Sequence, residues 1–286
     1  MDLSVVLVNW NTRELLRACL RSLQEALAGS ALAAEIVVVD NASADGSAEM
    51  VERQFPGIRL LANEVNRNYA EGNNQGIAAA AGEFLLLLNP DTEVPVGAAE
   101  ALLADLRENP RAAAVSPALV HPDGTVQESV RGFPAPRALV GELTGLARLL
   151  PRSRWAAYRA RALPEDRISS VEQPMASAFL VRRSALEQVG AFDPQFPLFF
   201  NDVDLCYRLK EAGWEILYDP RVRVVHVGGA STRQVRPEAI RQSHEGLRRF
   251  YAKHYRRRLP APLYGLILAA IRAAERVRLA GARGRG

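Results

Sequence analysis

An α/β fold with a mostly parallel sheet flanked by helices is predicted by three features of this 286-residue chain. Short β-branched or leucine-rich runs alternate with stretches of helical apolar spacing. The run Phe84-Leu85-Leu86-Leu87-Leu88 is apolar throughout, which suits a central strand covered on both faces. Strand runs also end in polar clusters, as at Asn9, Asp40 and Asn89-Pro90-Asp91. Alternation of this kind gives right-handed crossovers, with ligands expected outside the carboxyl ends of the strands.

The elements follow in order. Leu3 to Asn9 reads as a strand, and Leu15, Leu16, Cys19, Leu20, Leu23 and Leu27 follow at helical spacing. Glu35 to Asp40 repeats the strand signal, Asn41-Ala42-Ser43 makes a turn, and Ser43 is expected to cap a helix over Ala44 to Phe55. Ile58 to Ala62 is a third strand, followed by a polar segment, Asn63 to Gly76, and an Ala-rich helix over Gln75 to Ala81. The central strand then delivers Asp91 to the edge that Asp40 also faces. The competing reading is a plain turn, because Asn, Pro and Asp all favour turns.

Beyond a helix over Gly97 to Glu108 the alternation weakens. His121-Pro122-Asp123-Gly124 signals a hairpin, and residues 134–172, rich in Arg, Pro and Ala, have no clean period and read as a mobile or weakly helical insertion. Met175 to Val181 reads as a strand and Ser184 to Val189 as a short helix. A second helix then carries Asp202 and Asp204 in its first turn, with Asn201 as the expected N-cap. Trp214 to Tyr218 and Val222 to Val227 read as two strands. His226, set among valines, is either a hydrogen-bonded core residue or a ligand. The domain reading is residues 1–235 for the α/β unit and 236–286 for a basic helical tail.

Composition narrows the function. Apolar and charged fractions are ordinary, and the formal charge is +4, with much of the Arg in the tail. Cys19 and Cys206 lie far apart at apolar helix positions, which argues for core thiols in a reducing compartment. Leu3 to Val8 is too short for a signal peptide, and Leu263 to Ile271 falls below the roughly 20 residues a spanning helix needs. A cytoplasmic location follows as the expectation. An Arg-rich tail without a stacking face of aromatics argues against nucleic acid, and the missing Gly-rich phosphate loop argues against a nucleotidyltransferase.

Seven stretches together resemble the family 2 inverting glycosyltransferases of the GT-A fold, a Rossmann-like architecture, and within them the bacterial rhamnosyltransferase-like branch. They are Val8-Asn9-Trp10-Asn11, the run from Val38-Val39-Asp40-Asn41 through Gly46-Ser47, Asn73-Asn74-Gln75-Gly76, Leu88-Asn89-Pro90-Asp91, Gly190-Ala191-Phe192-Asp193, Asn201-Asp202-Val203-Asp204-Leu205-Cys206 and His226-Val227-Gly228-Gly229-Ala230-Ser231. The resemblance covers Leu3 to Ser231. It implies that Asp40 contacts the donor nucleobase, with Asn9, Asn11, Asn41, Asn68, Asn73, Asn74 and Asn89 on the donor side. It further implies a divalent metal, Mn or Mg, on Asp91 and His226, Asp202 as general base, and Asp193 and Asp204 on the acceptor side. The implied donor is a dTDP-, UDP- or GDP-sugar, and the implied acceptor a glycan or polyprenyl-linked glycan. The rival reading is a catalytically silent nucleotide-sugar-binding homologue.

Three positions depart from the family pattern. Asn201 stands where Glu is usual, so Asp202 loses a negative neighbour and is easier to keep ionised. Asn68-Tyr69 replaces Gly-Phe, and Ser177 replaces a common Gly. The tail combines Arg248, Arg249, Lys253, Arg256, Arg257 and Arg258 with Leu263, Tyr264, Leu266, Ile267, Leu268 and Ile271. Two roles remain open for it: docking on the anionic inner face of the cell membrane, or packing on the catalytic domain.

Overall fold

The computed structural model describes residues 1–144, 149, 158, 163–228 and 236–283. The insertion reading therefore lies partly outside the described residues, as do Gly229, Ala230 and Ser231. Strands β1 (Leu3–Asn9), β2 (Ala34–Asp40), β3 (Arg59–Ala62) and β4 (Phe84–Leu88) alternate with helices α1 (Arg13–Ala28), α2 (Ser47–Gln54) and α3 (Asn68–Ala79). They form parallel pairs β1 with β2, β1 with β4 and β2 with β3. Strand β5 (Thr92–Glu93), helix α4 (Ala98–Glu108), β6 (Ala112–Val120), β7 (Val130–Arg131) and α5 (Pro136–Thr144) come next. The chain continues through β8 (Ser169–Ser170), β9 (Gln173–Pro174), β10 (Ala178–Arg182), α6 (Arg183–Val189), α7 (Asn201–Glu211), β11 (Glu215–His226), α8 (Arg236–His254) and α9 (Ala261–Arg283).

The main sheet runs β3-β2-β1-β4-β10-β6-β11-β5, with β10 antiparallel to both neighbours and β11 parallel to β6. It is mixed and mostly parallel, as expected. Helices cover both faces, which explains why β4 reads as an unbroken apolar run. Phe84, Leu86 and Leu88 pack towards the face of α1 and α4, while Leu85 and Leu87 pack towards the face that holds Ala70 and Ile77 of α3 and Leu205 and Leu209 of α7. Each such buried side chain contributes about 1.5–3 kcal/mol.

Several boundaries move. Helix α3 begins at Asn68, inside the segment expected to be irregular, because Tyr69 N and Ala70 N donate to the carbonyl of Pro197 at 3.0 and 3.1 Å. Ser43 does not cap α2; its hydroxyl accepts from the Asn11 backbone N–H, and Gly46, at φ 80°, leads into a helix that starts at Ser47. Asn201 is the first helical residue of α7 and donates its amide to Leu198 O, while Phe200, at φ 69°, occupies the N-cap position. The two C-terminal strand signals form a single strand, β11, with a register shift between Asp219 and Arg223.

The tail is packed into the fold. Helices α8 and α9 form a hairpin, and Phe250, Tyr251, Ile267 and Ile271 bury against Phe196, Phe200, Val203 and Tyr207 in a third core. Tyr251 Oη donates to Pro134 O at 2.8 Å. Ion pairs take up several of the basic residues expected to face lipid. Arg248 joins Glu245 and Glu275, Arg249 joins Glu245, Lys253 joins Asp193 and Asp204, and Arg258 joins Glu211. Leu266, at 68% exposure, and Val277, at 72%, remain on the outside. No described helix is long and apolar enough to cross a membrane.

Candidate active site

The carboxyl ends of the strands open onto a cleft of about 820 Å³. One wall comes from the β1 and β2 tips and the start of α3, with Val8, Trp10, Thr12, Asn41, Asn66 and Asn68. The floor is Asn89-Pro90-Asp91 with His226, and a further wall is built from Asp202 and residues of β7, β9 and the C-terminal hairpin. Four non-glycine residues hold positive φ in the segments at these tips: Asn11, Ala42, Asn68 and Phe200. Backbone strain of this kind costs on the order of 1–3 kcal/mol each and concentrates at sites with a function.

The donor-side candidates divide. Asn41 and Asn68 line the wall and are bonded together, Asn41 Nδ2 donating to Asn68 O at 2.9 Å. Asn9 and Asp40 lie at matched register on β1 and β2, but both are buried. Asp40 Oδ1 accepts from Asn9 Nδ2 at 2.8 Å and Oδ2 from Ser43 N at 2.9 Å, while Asn11 Oδ1 accepts from Ala44 N. These three shape the turn behind the wall. Asn73 and Asn74 do not line the cleft either. Asn73 Nδ2 donates to Tyr69 O, and the Asn74 amide exchanges two hydrogen bonds with the backbone of Phe192.

Asn89 lines the floor, and two of the family departures meet on it. Its amide donates to Ser177 Oγ at 3.0 Å, and its oxygen accepts from the Tyr69 hydroxyl at 3.1 Å. Tyr69 and Ser177 therefore hold the strand tip from both sides.

Asp91 and His226 come together because β5 pairs antiparallel with β11, placing Thr92 opposite His226. His226 Nε2 lies 3.5 Å from Asp91 Oδ1, and Asp91 Oδ2 accepts from Gly228 N at 3.1 Å. Gln127 fixes the tautomer of the ring. Its amide N donates to the His226 carbonyl, so its oxygen must face His226 Nδ1, at 2.9 Å, and accept a hydrogen bond from Nδ1–H. Nε2 then carries a lone pair directed at a carboxylate oxygen. Burial pushes the His226 pKa down, and it outweighs the opposing pull of Asp91. Two electron-pair donors facing each other fit a shared divalent cation. Among the described residues no group of three or more His, Cys, Asp or Glu side chains could hold a metal, so the remaining ligands would be waters or ligand oxygens, as is usual for Mg.

Asp202 also lines the cleft, and its Oδ1 accepts from Val203 N at 2.8 Å. Burial pushes its pKa up, against hydrogen bonds from Val203 and Ala176 and the charge of Arg131. A raised carboxylate suits proton uptake from a hydroxyl. The other two acids lie away from the cleft lining. Asp204 is fully buried and holds Arg208 Nε at 2.7 Å, Lys253 Nζ at 2.8 Å and His254 Nε2 at 2.8 Å. Asp193 holds Lys253 Nζ at 2.6 Å. Both tie the tail to the α/β unit and present no carboxylate to the cleft. Sequence reasoning missed Trp10, Ser129, Arg131, Tyr158, Gln173, Glu238, Gln242 and Arg278 among the lining residues. The two-residue strands β7 and β9 leave no periodic signal, and the hairpin residues belong to a segment read as separate.

The fold and cleft are those of a GT-A glycosyltransferase. The family model described as "Glycosyl transferase family 2" matches residues 4–190, and the chain belongs to that family. It is similar to the N-acetylglucosaminyl-diphospho-decaprenol L-rhamnosyltransferase of Mycobacterium tuberculosis, 35% identical over 232 residues that cover 73% of each chain. It is also 25% identical over 230 residues to the low-salt glycan biosynthesis hexosyltransferase Agl10 of Haloferax volcanii, covering 79% of this chain and 67% of the relative. A mannosyltransferase from Pyrobaculum calidifontis, solved with GDP-Man and Mn2+, shares the fold at TM-score 0.61 and 20% identity, covering 99% of this chain and 73% of that one. The chain is thus a hexosyltransferase-like enzyme of glycan biosynthesis.

Proposed function

We propose that this enzyme transfers a sugar, rhamnose or another deoxysugar, from a dTDP-, UDP- or GDP-linked donor to a hydroxyl of a polyprenyl-linked or cell-surface glycan, with inversion. The observation that carries the reading is that one cleft is lined both by a half-buried carboxylate with raised pKa, Asp202, and by the Asp91–His226 pair. Single displacement needs a base on the face opposite the leaving group. Asp202 accepts the proton of the attacking hydroxyl as its oxygen bonds to the anomeric carbon and the sugar–phosphate bond breaks. Asn41 and Asn68 line the wall where the nucleotide would lie, while Asp40 sets the turn that positions Asn41.

Asp91 and His226 would hold Mn or Mg. Such an ion supplies neutralisation of the charge that develops on the released diphosphate. Gln127 keeps His226 in the ligating tautomer. The exposed Leu266 and Val277, with the exposed Arg272 and Arg276, supply a surface for peripheral docking on the anionic inner membrane face, where a lipid-linked acceptor would be found.

The test is a panel of nucleotide sugars assayed for nucleoside diphosphate release, with and without Mn and a chelator, against a soluble glycoside acceptor. One donor should be turned over in a metal-dependent way, giving a product of opposite anomeric configuration. Retention of configuration, or turnover unaffected by chelator, overturns the reading.

A further inference from the structure

The wall of the cleft beside Asp202 contains polar groups for which donor binding and catalysis give no use. Strands β7 and β9 pair so that Arg131 stands opposite Gln173 and Val130 opposite Pro174. Met175 N donating to Ser129 O at 2.8 Å extends the ribbon by one rung. Ser129, Arg131 and Gln173 all line the cleft. Ser129 and Gln173 are more than nine-tenths buried, yet Ser129 Oγ and Gln173 Oε1 have no hydrogen-bond partner. Gln242 Oε1, on the hairpin part of the same wall, is also unpartnered. A buried polar atom left unpaired is costly, so several at one wall point to a polar ligand there.

Charge is arranged on the same wall. Arg131 from the ribbon and Arg278 from α9 both line the cleft and both are exposed. Tyr158 sits between them electrostatically. Burial pushes its pKa up, the two arginines act to lower it, and Asp202 acts to raise it. Among the described residues, the one carboxylate of this wall besides Asp202 is Glu238. It is engaged by Arg241 at 3.2 Å and by the amide of Gln242 at 3.2 Å.

We infer that this wall is the acceptor subsite for a phosphate-bearing sugar. Ser129 and Gln173 take hydroxyls of the acceptor sugar, and Arg131 with Arg278 takes the diphosphate that joins that sugar to its carrier. Guanidinium groups suit phosphate oxygens because their donors are planar and paired. The hydroxyl to be glycosylated then lies near Asp202, on the ribbon side of the cleft. The inference deepens the proposed function and rests on it for the identity of the acceptor, but its test does not require turnover.

The probe is decyl N-acetylglucosaminyl diphosphate, titrated calorimetrically into the whole chain with chelator present and donor absent, which removes metal-assisted diphosphate binding at Asp91. Decyl N-acetylglucosaminide is the uncharged control. Arg131→Gln and Arg278→Gln alter exposed side chains and leave the cores intact. Each should weaken binding of the charged probe about 10- to 100-fold and leave the uncharged control within twofold. Gln173→Leu should weaken both. Equal affinity of wild type for the two probes, or arginine variants that affect both alike, would overturn the assignment. A protein that shows this binding pattern but transfers no sugar from any donor would instead refute the proposed function alone.

Discussion

Asp202 and Asp204 stand two residues apart on α7, and their substitution by Asn should give opposite results. Asp204 is fully buried and holds Arg208, Lys253 and His254 within 2.8 Å, the last two from α8. Asn preserves volume, so no cavity forms, but Arg208, Lys253 and His254 would face a neutral amide. Breaking a buried ionic set by removing one partner costs about 3–5 kcal/mol. Lys253 keeps Asp193, and Arg208 keeps the carbonyls of Val189, Gly190 and Ala191, so the loss should fall at the lower end, about 3 kcal/mol. That is roughly a hundredfold in the ratio of folded to unfolded protein. Burial alone would raise the Asp204 pKa, but the hydrogen bond from His254 and the charges of Arg208 and Lys253 bring it below the usual value. Its contribution to stability is therefore present above the unfolded pKa of about 3.9 and lost as pH falls through the lower folded value. Urea unfolding at pH 7 followed by circular dichroism measures the difference, and the gap between Asp204→Asn and wild type should close in acid. Asp202→Asn should instead unfold within about 1 kcal/mol of wild type while transfer drops by 10²–10⁴-fold. An Asp204→Asn protein that is as stable as wild type but inactive would refute this division of roles.

Four further outcomes follow from the geometry. The proposed role of Asp202 as base makes its ionised form the active one, and burial raises its pKa, so kcat/KM should fall as pH drops through a value above the ordinary carboxylate pKa of about 3.9; a profile flat to about pH 4 would count against it. Gln127→Leu frees the ring that its amide orients and should weaken Mn-dependent nucleotide binding about 10- to 100-fold, measured by calorimetry; unchanged affinity would remove the tautomer argument. Gly82→Ala would bring a Cβ to 2.5 Å from Ser4 N and 2.8 Å from Leu3 C, so thermal unfolding should show a loss of about 1–3 kcal/mol; no loss would mean the strand edge gives way freely. Leu266→Glu should reduce sedimentation with anionic vesicles and leave neutral vesicles unaffected, and equal binding would confine α9 to packing.

Strands β1, β2 and β4 were legible because each carries an apolar run with both faces buried, a pattern that no amphipathic surface element produces. The start of α3 was not. Its first-turn N–H groups are capped by Pro197 O, more than a hundred residues away, while its own residues from Asn68 to Asn74 look like a loop. The same cause displaced the roles of Asp193 and Asp204. Their partners Lys253 and His254 sit on a helix whose sequence looked separate, so two carboxylates that tie that helix to the α/β unit read as acceptor-side groups. That Asp91, Asp202 and His226 reach the cleft was readable because strand ends and first helical turns fix where a carboxylate or imidazole emerges. The ribbon of β7 and β9 had no such marker.

The position of β10 in the sheet bears on how this chain is made. β1, β2, β3 and β4 can assemble as soon as Leu88 has been synthesised, yet the second edge of β4 is met by Ala178–Arg182. At about 5–20 residues per second, a leucine-rich strand edge would wait on the order of ten seconds for its antiparallel partner. Such an edge is a template for wrong pairing between nascent chains. Yield in the cell should therefore depend on chaperone capacity and on translation speed between β4 and β10 more than on the stability of the finished protein.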